Sequence, residues 1–406
     1  MSGTDYLQIW YRAQISIALF CVLVIGGWEI YHQLPYVGWL AVMALVLIFA
    51  WLDEGLDLPP WLTAINRWLQ CIVQPIILIV VWSIMTREII VRLQLPARGV
   101  MVITMAYFIV MFAPMAGIVG GKLKTSVARI LYPAWWFVIV VTLVGSIYPA
   151  KFTGPRTFAL ILTTGALGAV AFFLMIVASM RAWHLSWPGI NPKFGRGFSW
   201  LSLIILLGLG CLFIFINSFS NGNRWSNILT SYDLHLPYAT REYLLTAFEA
   251  GVAEETLCRF AFLGVLLSVF RNSRNQALWA ILVSSFLFGL LHFGNALVQP
   301  FMITLLQAIS AMALGLYFAV VYLYTGQLWL SMLMHFLLDW LAFSASGSVV
   351  MTGSPTIVDW YLLTVEVLFF GGVTAWMMFG DRRQVIDRHA RRFAGDEQRF
   401  NFRLDF

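Results

Sequence analysis

A chain of 406 residues that is 61% hydrophobic and only 11% charged is too apolar for a soluble globular domain. Its long continuous apolar runs exclude a transmembrane β-barrel, which alternates in segments of about ten residues. The net charge of +6 comes from 25 Lys and Arg against 19 Asp and Glu. The basic residues fall in loops and the tail, so the excess reads as membrane orientation rather than nucleic-acid binding.

The predicted fold is all-α, a polytopic transmembrane bundle of about twelve spans. They run 14–31, 36–52, 69–85, 100–120, 130–148, 157–180, 199–219, 243–270, 276–293, 300–324, 326–343 and 357–379. The first follows a short N-terminus bearing Asp5 and Arg12 and ends at no small-residue cleavage site, so it reads as an uncleaved span. Tyr31-His32-Gln33-Leu34-Pro35 predicts a tight turn before the second span, and Pro75 predicts a kink in the third. Cys21, Cys71, Cys211 and Cys258 all lie in apolar segments without CxxC spacing, which implies neither disulfides nor a cysteine metal site.

Residues 1–220 read as an N-terminal transmembrane extension, and Ser218 to Thr240, rich in Ser and Asn, is its boundary. Residues 221–345 hold the reactive core, 346–380 a last transmembrane helix, and 381–406 a basic cytoplasmic tail. The tail mixes seven arginines with Asp381, Asp387, Asp396, Glu397 and Asp405, a solvated and partly helical end near anionic lipid. With both termini cytoplasmic, seventeen basic residues lie inside and seven outside, and Arg259 lies within the membrane.

The eighth span carries Glu249, Glu254, Glu255 and Arg259. Charges in hydrocarbon are costly, so they face a polar cavity, pair, or do chemistry. Glu255 and Arg259 stand at i and i+4 with the acid N-terminal, which suits an ion pair. Glu254 then points about 100° round the helix, free for another task. Two further patterns follow: Phe288 with His292, and His335 with Asp339, each pair on one helix face. Asp339 is placed to orient the His335 ring or to stabilise its imidazolium. A glutamate acting as general base on water, with histidines stabilising the oxyanion of a carbonyl, suits these groups. No GxSxG or Cys-His arrangement competes, and Cys258 reads as a packing thiol.

Glu254-Glu255-x-x-x-Arg259, Phe288-x-x-x-His292 and His335-x-x-x-Asp339, in order on successive apolar helices, resemble the CPBP family of CAAX proteases and bacteriocin-processing enzymes. That family includes type II CAAX prenyl endopeptidases and lysostaphin-resistance-protein-A-like proteins. The resemblance spans about residues 240–345 and implies an intramembrane glutamic endopeptidase. It implies Glu254 as the water-activating base, Glu255 and Arg259 as a structural pair, and His292 and His335 as transition-state ligands. The fourth position, often Asn, is Asp339 here.

Other readings stay open. The charged groups could be a structural ion cluster, and the chain a non-proteolytic scaffold that binds and positions a partner membrane-associated enzyme or sensor. A transporter would show discontinuous helices in two matching halves, which the sequence lacks. No cofactor is implied, though two histidines and a carboxylate leave zinc open. The expected partners are membrane lipid and a membrane protein or peptide substrate, with no nucleic acid. Glu366 lies in a span without an evident partner. Counting 1.5 Å per residue puts Glu254 and His292 about 24 Å from the cytoplasmic ends of their spans and His335 about 14 Å. An eleventh span starting deeper in the protein would remove that mismatch.

Overall fold

The computed structural model describes residues 3–32, 37–56, 58–142, 156–185, 189, 197–220 and 227–396. Among these, all regular structure is helical, with one isolated bridge between Ser220 and Tyr232. Nine of the described helices are long and apolar enough to cross a membrane, and a pair bent by 51° could supply a tenth. The chain is a multi-pass membrane protein. Its contacts divide into two units, Met1–Trp183 and His184–Phe406.

The first unit holds α1 (Gly3–Tyr31), α2 (Val37–Gly55), α3 (Pro60–Arg92), α4 (Ala97–Val110), α5 (Ala113–Ile118), α6 (Ser126–Trp136), α7 (Arg156–Thr163) and α8 (Ala166–Ala182). Of the expected first turn, Gln33, Leu34 and Pro35 lie outside the described residues. Helix α3 runs unbroken through Pro75 and far past the expected 69–85. Asn66 and Gln70, at i and i+4, bury their amides against α2, donating to Phe49 O at 3.0 Å and Val46 O at 2.8 Å. Such polar side chains fasten helices where hydrocarbon offers no other partner. Between α7 and α8 the bend falls at Gly165, whose φ of 78° is left-handed.

The second unit holds α9 (Trp200–Phe219), α10 (Arg241–Glu255), α11 (Leu263–Val269), α12 (Gln276–Leu291), α13 (Phe301–Thr325), α14 (Leu328–Ser346), α15 (Ile357–Met377) and α16 (Gly380–Arg391). Helix α9, grouped by sequence with the N-terminal spans, packs against α14. Thr240 caps α10, its side chain accepting from the Tyr243 N–H at 3.3 Å. Helices α10 and α14 are antiparallel and tied at one end. The Tyr243 hydroxyl donates to Gly347 O there, and the Tyr238 N–H donates to Ser344 O at 3.0 Å.

Three expectations change here. The turn from α13 to α14, expected as an open connection between spans, is buried, with Thr325 and Gln327 inside the protein. It is covered by the described part of the tail, residues 381–396, which docks instead of lying in solvent. The tail's Val385 and Ile386 are fully buried, His389 Nδ1 sits 2.7 Å from Leu323 O, and Phe393 stacks on Tyr322. With that turn covered by protein, the position of His335 is read from its contact to Glu255 rather than from rise-counting along its span. Glu366 has a partner, because Ser310 Oγ donates to it at 2.7 Å.

A Cβ built on Gly251 would lie 2.9 Å from Met332 O and 3.0 Å from Phe336 N, both backbone atoms of α14. Only glycine lets α10 approach α14 this closely. Gly251→Ala is therefore expected to destabilise the folded protein by about 1–3 kcal/mol through overpacking. Gly208→Ala, on a site with nothing within 4 Å, should be neutral or slightly stabilising. Thermal unfolding of the two variants side by side checks the contrast.

Candidate active site

The site begins where α10 ends. After Glu255 the helix widens into a π-type segment, Thr256–Phe262, before resuming as α11. Thr256 Oγ bonds back to Val252 O at 2.6 Å across that transition. Such insertions re-aim side chains and recur at functional sites. Glu254 and Glu255, the last two residues of α10, address one ring, His335 of α14, at its two different nitrogens. Glu255 Oε1 lies 2.9 Å from Nδ1, and Glu254 Oε2 lies 3.9 Å from Nε2.

Glu255 is fully buried, and its Oε2 stands 3.2 Å from Arg259 Nε, itself 1% exposed. The expected pair is present, but Glu255 also anchors His335, a second duty that helix periodicity does not reveal. The guanidinium lies over two aromatic faces, 4.3 Å from the Phe288 centroid and 5.3 Å from that of Phe318. Desolvated cation–π contact thus takes the place of hydrogen bonds for its terminal nitrogens, which have none. Phe318 also stacks on His335 at 5.2 Å. No sequence signal marks this residue, one of 32 phenylalanines.

His292 closes the opposite side. It follows α12 and opens a 3₁₀ segment, His292–Leu297. Phe288 O accepts from its Nδ1 at 2.9 Å, and its Nε2 lies 4.0 Å from Glu254 Oε2. Gln307 of α13 holds the segment in place, its Oε1 accepting from Asn295 at 2.9 Å and Gln299 at 2.6 Å. Asp339 Oδ2 meets His335 at 3.5 Å on Nε2, not on the nitrogen that fixes the ring. Orientation of His335 falls to Glu255 instead. Glu249, half-buried on α10, lies within Coulomb range of Glu254, Asp339 and His335 and joins the acidic surround.

The structure thus gathers Glu254, Glu255, Arg259, Phe288, His292, His335 and Asp339 into one site. Two carboxylate oxygens of the site, Glu254 Oε2 and Glu255 Oε2, are buried without a hydrogen-bond partner; the second faces Arg259 as an ion pair, and the first faces only the two imidazoles. Both histidines commit Nδ1 as donor, one to a carbonyl and one to a carboxylate, so their Nε2 atoms face Glu254. These three atoms are the donor set a cation would meet. Tetrahedral zinc brings its ligands to roughly 3.3 Å of one another, closer than the 3.9 and 4.0 Å seen here. Among the described residues no His, Cys, Asp and Glu group is arranged to hold a metal ion. Cys258 is fully buried in the π-type segment and does not reach solvent.

Residues 237–341 match the family model of the type II CAAX prenyl endopeptidase, Rce1-like domain, a span that contains every one of these side chains. No curated protein and no solved structure gives a significant match.

Removing one member of a buried ion pair typically costs about 3–5 kcal/mol, because the other charge is stranded. Arg259→Ala is expected to lower the melting temperature sharply. The double change Glu255→Gln with Arg259→Met should be milder, since it leaves no unpaired charge. A thermal-stability assay in which the double variant is the worse one would show that the pair is not the stabilising unit.

Proposed function

With a domain of the CAAX protease family at residues 237–341, we propose that the protein is an intramembrane endopeptidase. It hydrolyses a peptide bond of a membrane-associated protein or peptide with a water activated by Glu254. The observation that carries this reading is the partnerless Glu254 Oε2, 3.9 and 4.0 Å from the Nε2 atoms of His335 and His292. A water oxygen at about 2.8 Å from both Glu254 Oε2 and His292 Nε2 would bridge the 4.0 Å between them. Glu254 takes the water's proton as the oxygen attacks the carbonyl carbon, and returns it to the departing amide nitrogen.

The two histidines divide the remaining work. His292 gives its Nδ1 proton to a neutral carbonyl, so its Nε2 lone pair accepts from the water and orients it. His335 is flanked by Glu255 and Asp339, which offset an imidazolium charge. In that form its Nε2–H donates to the oxyanion. Asp339, unlike an amide, contributes charge balance rather than a donor.

The proposed topology has twelve passes, the nine apolar helices joined by three further segments: the bent pair α7–α8, the shorter apolar helix beginning at Ser126, and the charged run Arg241–Val269. The last carries too many ionised groups to stand out by hydropathy. An even count agrees with both termini being cytoplasmic, as the seventeen-to-seven basic bias implies. The partners are lipid and a membrane-bound substrate. Reporter fusions at Phe406 and within 344–356 should report opposite sides of the membrane, and equal sides would overturn this topology.

Glu254→Gln keeps the shape and removes the base, so hydrolysis should fall by about 10²–10⁴-fold with folding retained. His292→Ala and His335→Ala should also be slow, and combined losses should fall short of additive because the groups act as one unit. Chelators should leave turnover unchanged. Complementation in the native host separates catalysis from scaffolding: full rescue by Glu254→Gln would establish that the protein positions a partner enzyme or sensor instead.

A further inference from the structure

Beside His292 the fold leaves three side-chain amides half used. Gln307 Oε1 accepts from Asn295 Nδ2 at 2.9 Å and from Gln299 Nε2 at 2.6 Å. The other ends, Asn295 Oδ1, Gln299 Oε1 and Gln307 Nε2, take no partner among the described residues. None of the three is sealed, since each keeps accessible surface even though Gln299 as a whole is 8% exposed. Their free edge therefore offers one donor group and two acceptors. Turning all three amides together exchanges these roles and leaves the edge mixed.

Helix geometry sets this edge next to the reactive groups. His292–Leu297 is a 3₁₀ segment with three residues per turn, so Asn295 stands beyond His292 on the same face, about 6 Å further on. The Nε2 of His292 is itself 4.0 Å from Glu254 Oε2. Gln307 reaches the same place from α13, because its neighbour Ala308 packs against Gly289, three residues before His292. Gln307 also shares a helix face with Phe318, three turns and about 17 Å along α13. Phe318 lies against His335 and Arg259 at the closed end of the site. The amides stand towards the other end.

The chemistry of the edge narrows the ligand. No Asp, Glu, Lys, Arg or His occurs from Phe293 to Met334, so the edge holds no counter-charge for an ionised group. It suits a neutral dipole that both donates and accepts. A peptide unit is such a dipole, with one N–H and one C=O. Two residues of an extended chain span about 6.6 Å, which matches the step from His292 to Asn295. We propose that Asn295, Gln299 and Gln307 form a subsite for the substrate's backbone. It holds the chain extended by a peptide unit about two residues from the bond presented to Glu254. The subsite rests on the endopeptidase reading for the identity of the bound chain. Since it reads backbone, it takes peptides without regard to the side chains at that position.

Photolabelling of the full-length protein in lipid nanodiscs tests this with two probes. One is an acetylated and amidated decapeptide of alternating alanine and leucine, with a diazirine on one leucine. The other is the matching oligoester, in which oxygen replaces every backbone N–H. Peptide mapping should find the decapeptide on residues 292–311 about tenfold more than the ester, the factor one net hydrogen bond supplies. Asn295→Ala should bring the decapeptide down towards the ester while Gln299 and Gln307 still hold the segment. Equal labelling by the two probes, or a preference untouched by Asn295→Ala, would overturn the subsite and leave the amides as a brace for His292. The two-probe comparison on the unaltered protein decides the matter even if Asn295→Ala fails to fold. Cleavage of the decapeptide is read separately by mass spectrometry. Cleavage without the labelling preference overturns the subsite and leaves the endopeptidase standing. The preference without cleavage supports backbone binding and counts against the endopeptidase.

Discussion

The site hangs on one carboxylate that touches no solvent. Glu255 holds Arg259 through one oxygen and His335 through the other, at 3.2 and 2.9 Å. In a low-dielectric interior a charge is tolerable only when its surroundings satisfy it. Here the guanidinium supplies the counter-charge, the imidazole supplies a hydrogen bond, and two phenylalanine faces accept the rest of the cation. Three helices and a π-type turn are thus bound to one anion. The ring of His335 has little freedom as a result, because its Nδ1 is held and Phe318 lies against its face.

That fixation gives Glu254 its direction. The two acids are neighbours in sequence, yet Glu255 is sealed while the Glu254 side chain remains 23% exposed. One is committed to internal partners and the other keeps an exposed edge. The division requires α10 and α14 to lie close enough for both acids to reach one ring, and Gly251 sets that distance. Gly289 does the same between α12 and α13, where a Cβ would fall 2.6 Å from Ala308 O. Glycines at two helix crossings and charges at the centre are parts of one arrangement.

Much of this was legible in the sequence, and the parts that were not have physical reasons. The ion pair and the two histidine motifs follow from i, i+4 spacing, which survives any tertiary context. The second role of Glu255 depends on where α14 places His335, a contact between helices that the periodicity of α10 does not report. Phe318 and Gln307 act through a helix that bears no motif, so nothing distinguishes them from lipid-facing or packing residues. Rise-counting placed His335 apart from Glu254 and His292, whereas helix packing brings its ring to both glutamates, a result of tertiary contact that span lengths do not encode. The tail was read from its arginines, whereas its docking depends on Val385, Ile386 and Ala390 at helical spacing among them.

The asymmetry of the site also bears on what bond it would cut. Its sealed side is closed by Arg259, Phe288 and Phe318, so a carbonyl must arrive from the side where Glu254 and Asp339 retain 23% and 21% side-chain exposure. Glu249 adds a further carboxyl group to that approach. A free C-terminal carboxylate placed there would meet like charge in a medium that screens it poorly. The one strong cation of the site, Arg259, lies behind the aromatic wall and is committed to Glu255, so it cannot receive that carboxylate. An internal peptide bond carries no such charge. On the proposed mechanism, the same carboxylates that balance His335 therefore favour cleavage within a chain over removal of its last residue.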